Sequence, residues 1–67
     1  MRITLNGKQV ELTEEVQTIR GLLASYQLLE KIVVVEQNGE ILDRTKYEEK
    51  TIADGDRIEI VHFVGGG

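Results

Sequence analysis

The sequence predicts an α+β domain: a mixed β-sheet with one main helix across one face, followed by a flexible C-terminal Gly-Gly tail. Three observations carry this. Apolar residues alternate with period two around two Asn-Gly dipeptides, and a single stretch has helical period. The chain has 67 residues with no cysteine and no proline, which is one core and no disulfide. A domain this small hides only about 60% of its unfolded surface, so its core must be economical.

Arg2–Asn6 places Ile3 and Leu5 on one side and Arg2, Thr4 and Asn6 on the other, and Asn6-Gly7 accepts the positive φ values of a tight hairpin. Lys8–Leu12 returns with Val10 and Leu12 together. Thr13–Gln17 is polar. Ile19, Leu22, Leu23 and Tyr26 then fall at i, i+3, i+4 and i+7, the apolar stripe of a helix, with Thr18 placed to cap it. Thr13 with Glu14 and Glu15 is a rival start. Gly21 inside the first turn costs about 1 kcal/mol against Ala; close approach to the sheet would explain it, and simple tolerance is the plainer reading. Ile32–Glu36 is a β-branched strand, Asn38-Gly39 a second turn, and Glu40–Leu42 a short strand. Arg44–Lys50 reads as a loop or a single helical turn, Ile52 returns to the core, Asp54-Gly55-Asp56 turns, and Arg57–Val64 is the last strand. This order fits the β-grasp arrangement, in which the first and last strands lie side by side and parallel. Residues 1–64 form the domain and residues 65–67 the glycine tail.

Twelve acidic against eight basic residues give a net charge of −4. With the bases scattered among acids there is no basic stripe, so nucleic acid is not the expected partner; a basic protein surface is. The longest aliphatic run, Ile32–Val35, is far below the ~20 residues of a membrane span, and no signal peptide precedes the domain, so the expected compartment is the cytoplasm. His62 is the one histidine. Without a cysteine or a defensible Ser/His/Asp set it suggests neither catalyst nor metal ligand, and the neighbouring acids Glu14-Glu15 and Glu48-Glu49 read as solvated. A non-enzyme with no metal site and no bound cofactor is expected.

Strand parity gives a surface. If Glu36 and Glu59 face solvent, Val33, Val35, Ile58 and Ile60 point beneath the helix, while Ile32, Val34, Val61 and Phe63 share the opposite face. One helix covers one face. Unless a loop residue such as Tyr47 folds over them, four apolar residues mark a partner surface.

Gly65-Gly66-Gly67 follows this last strand directly. Glycine ends are often idle. Glycine also lacks Cβ, so its backbone can thread a narrow channel and lie against a nucleotide. A terminal carboxylate is ionised and a poor electrophile; as an acyl-adenylate it has a good leaving group, and a sulfur nucleophile can convert it to a thiocarboxylate. Such a carrier needs no cysteine of its own.

The segments Val35-Glu36-Gln37-Asn38-Gly39-Glu40-Ile41, Asp54-Gly55-Asp56-Arg57-Ile58-Glu59-Ile60 and Val61-His62-Phe63-Val64-Gly65-Gly66-Gly67 resemble the ThiS family, the ubiquitin-like sulfur carriers of bacterial thiamine biosynthesis, as do the Asn6-Gly7 hairpin and the Leu22-Leu23-Ala24 helix core. The resemblance covers essentially the whole chain. It implies that a ThiF-like adenylyltransferase uses ATP and Mg²⁺ to adenylate Gly67. It further implies that a cysteine desulfurase persulfide supplies sulfur for a Gly67 thiocarboxylate, and that thiazole synthase takes that sulfur. Gly65 and Gly66 would give access to the partner's channel, and Phe63 and Val64 would anchor the tail root. The docking role of Ile32, Val34 and Val61 rests on parity. Other readings of the same fold are a carrier for another pathway (molybdopterin synthase small subunit or tRNA thiolation), a ubiquitin-like modifier, or an interaction module with an idle tail.

Overall fold

A computed structural model describes residues 1–63. Strands β1 (Arg2–Leu5) and β2 (Lys8–Glu11) form the first hairpin, with Ile3 opposite Val10 and Leu5 opposite Lys8. At its tip Asn6 and Gly7 have φ of 49° and 84°, the paired positive values of a type I′ turn, whose twist matches that of the strands. Asn6 does a second task that its turn role did not foretell. Its Oδ1 accepts from the Ile60 N–H at 2.8 Å and its Nδ2 donates to the Ile60 carbonyl at 3.2 Å. A side-chain amide thus continues the ladder beyond the end of β1.

Helix α1 (Ile19–Ser25) begins at Thr18, whose Oγ1 accepts from the Gly21 N–H at 3.1 Å. The rival start at Thr13 is a turn instead, its carbonyl accepting from Val16 N–H, and Val16 is buried despite its polar neighbours. Ile19, Leu22 and Leu23 face the core, but Tyr26 does not complete the stripe. It is the C-cap and is 45% exposed, because Gln27 turns the chain out of the helix with φ 60°. A Cβ at Gly21 would meet Thr18 Oγ1 at 3.4 Å and Val16 Cα at 3.9 Å, ordinary contacts within the same segment. Tolerance, not close approach to the sheet, accounts for this glycine.

Strand β3 (Val33–Gln37) turns through Asn38 and Gly39, at φ 51° and 86°, into β4 (Glu40–Ile41). The 44–50 segment contains a 3-10 turn, Arg44–Lys46, capped by Asp43. Strand β5 (Arg57–His62) ends one residue before Phe63. The sheet order is β2-β1-β5-β3-β4, with β1 and β5 parallel at its centre and the other pairs antiparallel. This is the β-grasp topology expected from the element order. Ile3, Val35 and Ile58 from the sheet meet Ile19, Leu22 and Leu23 from the helix, with Leu12, Val16, Leu42 and Ile52 closing the rim. None of the helices among the described residues is long and apolar enough to cross a membrane.

Candidate functional site

Parity along β3 and β5 holds as the alternation requires. Val35 and Ile58 are wholly buried under α1, with Val33 and Ile60 partly buried beside them. On the other face Ile32 is 68% exposed, Val61 and Phe63 54% each, and Val34 36%. The antiparallel register sets Val34 opposite Val61, and the Phe63 N–H donates to the Ile32 carbonyl at 3.0 Å, so Ile32 and Phe63 continue the same two strands. Tyr47 does not cover them. It packs against the core on the helix side, where its carbonyl accepts from Arg20 N–H at 2.9 Å.

The open face holds two features that parity along single strands did not show. Ile41 of β4 lies opposite Glu36 and is 68% exposed, which widens the apolar surface to a third strand. Glu36 also lies opposite Glu59 on β5. Like charges directly across a ladder repel, and among the described residues neither carboxylate has a cation within ion-pair distance. Register across strands was the missing information; it joins three separate segments into one apolar patch bordered by two acids.

Phe63 is the last described residue. Val64, Gly65, Gly66 and Gly67, all singled out in the sequence, lie outside the described residues. His62 is exposed opposite Val33. Among the described residues no group of three His, Cys, Asp or Glu side chains is placed to hold a metal.

The other concentration of polar contacts is structural. Gln37, buried by the same parity as Val35, donates from Nε2 to the Thr51 carbonyl at 3.0 Å and to Asp56 Oδ2 at 2.8 Å. Asp56 also accepts from Ala53 N–H at 2.9 Å and from Asn38 Nδ2 at 3.0 Å. Burial raises the Asp56 pKa, but these hydrogen bonds, with the charge of Lys50, outweigh it and hold the carboxyl below its ordinary value. Every acceptor contact is made within the fold, so the carboxylate fastens the turn before β5.

A model of the ThiS family matches residues 3–67. The sulfur carrier protein ThiS of Bacillus subtilis is 55% identical over 65 residues, covering 97% of this chain and 98% of that protein. A thiazole synthase of Paramagnetospirillum magneticum is 34% identical over 67 residues, all of this chain but only 20% of the enzyme. The crystal structure of a thiamine biosynthesis protein (ThiS) from Geobacter metallireducens superposes with a TM-score of 0.82 at 35% identity, covering 100% of both chains. A match running from the first strand through the glycines, on a fold shared from end to end, makes this chain a member of the ThiS family.

Proposed function

We propose that this chain is a sulfur carrier in the formation of the thiazole of thiamine, with the α-carboxylate of Gly67 as the carrying group. One observation carries the reading: 55% identity, over nearly the full length of both chains, to a protein named as a sulfur carrier. The chain is a substrate of enzymes and not itself a catalyst.

The chemistry follows from the carboxylate. A Gly67 oxygen attacks the α-phosphorus of ATP on a ThiF-like adenylyltransferase, with Mg²⁺ on the phosphates, and pyrophosphate leaves. The terminal sulfur of a desulfurase persulfide attacks the acyl carbon and displaces AMP. A thiol then reduces the resulting acyl disulfide and frees the thiocarboxylate, whose sulfur passes to thiazole synthase. Thiazole synthases in which a segment matches this whole chain support that last partnership. Gly65 and Gly66 let the tail enter the active sites of the partners, while Phe63 and Val64 hold its root. Ile32, Val34 and Val61, joined by Ile41, form the docking surface. Glu36 and Glu59 give it a charge that selects a basic partner patch and speeds encounter. The cytoplasm, with ATP and a reducing thiol pool, is the proposed setting.

Complementation tests this. The intact chain is expected to restore growth without thiamine to cells lacking their own thiazole sulfur carrier, and deletion of Gly66 and Gly67 to abolish rescue at equal protein level. Rescue by the shortened chain would mean that the domain acts as an interaction module and the tail carries nothing.

A further inference from the structure

We propose that the cavity between α1, the start of β3 and the 44–48 turn binds a small phosphate monoester bearing an aromatic or apolar group. The cavity measures about 360 Å³, within the roughly 300–1,000 Å³ range of small-molecule sites and near its lower end. Its walls are of two kinds. Leu23, Val33 and Tyr47 are among the apolar and aromatic lining residues, and Arg20, Lys31 and Arg44 are cations from three separate segments.

This convergence runs against the charge of the molecule. The protein carries −4 overall, and three of its eight bases line this one cavity. Glu48 is the acid among the lining residues, so the formal charge there is +3 − 1 = +2. None of the three cations forms an ion pair among the described residues. Of the acids next to lining residues in the sequence, Glu30, Asp43 and Glu49, Asp43 has Oδ1 occupied by the Thr45 N–H at 2.9 Å and the Thr45 hydroxyl at 2.7 Å.

The backbones beneath the cations are held in place. Arg20 N–H donates to the Tyr47 carbonyl at 2.9 Å, Lys31 N–H donates to the Leu28 carbonyl at 3.0 Å, and the Asp43 cap fixes the turn bearing Arg44. A monoester phosphate carries about −1.5 to −2 at neutral pH, which matches the lining charge. Its oxygens suit guanidinium forks, and a phenyl-sized ring suits the apolar and aromatic lining residues. The small volume favours such a ligand over an extended acidic peptide. Ile32, exposed on the open face, also lines the cavity, but the proposal does not rest on the sulfur-carrier reading.

The test is an NMR titration of the full chain with phenyl phosphate at constant ionic strength. Expected are saturable shifts at the amides of Arg20, Lys31, Val33 and Tyr47, and weaker binding of inorganic phosphate. Arg44→Gln and Arg20→Gln should each weaken phenyl phosphate roughly tenfold or more while keeping a folded spectrum. Arg57→Gln, on the opposite face, should leave affinity unchanged. Absence of saturable shifts, or equal weakening by Arg57→Gln, would overturn the site. Inorganic phosphate binding as tightly as phenyl phosphate would overturn the amphiphilic ligand, as would an acidic hexapeptide binding more tightly at the same amides.

Discussion

Asp56 shows how one carboxylate sets the geometry of a strand entry. It collects donors from β3, from the Asn38 turn and from Ala53, and its own carbonyl accepts from Thr4 N–H at 2.9 Å, so β1, β3 and β5 meet at this residue. Its folded pKa lies below the unfolded one. Its contribution to stability is therefore fully present above the unfolded value, about 3.9, and is lost as pH falls through the lower folded value. Asp56→Asn is expected to lower stability at pH 7 by about 1–2 kcal/mol in urea unfolding and to flatten the loss of stability below about pH 4. An unchanged acid limb would show that another group governs it. Gly21→Ala has the opposite sign. The helical backbone accepts a methyl, its contacts are ordinary, and a gain of about 0.5–1 kcal/mol is expected from thermal unfolding. Lower stability in that variant would mean that the Thr18 cap cannot tolerate the added carbon.

Individual elements were legible in the sequence wherever a period or a turn signal was unbroken. Both Asn-Gly hairpins, the Thr18 cap and the inward set of β3 and β5 follow from local pattern, because side-chain direction alternates along an unbulged strand. Tyr26 fits the helical period yet leaves the helix, since Gln27 reverses the chain and sequence spacing does not report φ. Ile41 and the Glu36–Glu59 pair depend on which residues face each other across strands, which only register reveals. The face these residues make gives two predictions. Val61→Gln should change stability by less than about 1 kcal/mol, within the range of strand propensities, and weaken binding to the adenylyltransferase at least about tenfold in calorimetry. Binding that survives this change would remove the open face from the docking surface. Glu36→Gln with Glu59→Gln should raise stability by up to about 1 kcal/mol by relieving the cross-strand repulsion. The same pair should slow association with a basic partner and reduce its dependence on salt, as stopped-flow mixing would show.

At the scale of the whole molecule, the described residues 1–63 form one core under one helix. The hydrophobic core holds without a disulfide, and the helix leaves the other sheet face exposed. Composition predicted an acidic protein with scattered bases; folding instead gathers Arg20, Lys31 and Arg44, far apart in sequence, around one cavity. The proposed chemistry of Gly67 rests on likeness to a family and on the properties of glycine, since three glycines alone do not distinguish a carrier from an idle end. The most direct measurement is intact mass after incubation with ATP, Mg²⁺, a ThiF-like adenylyltransferase, a cysteine desulfurase with cysteine, and a reducing thiol. A gain equal to one oxygen replaced by sulfur, located at Gly67 and lost on alkaline hydrolysis, is expected. An unchanged mass, with the same enzymes shown to charge another carrier, would contradict Gly67 as the sulfur-bearing group.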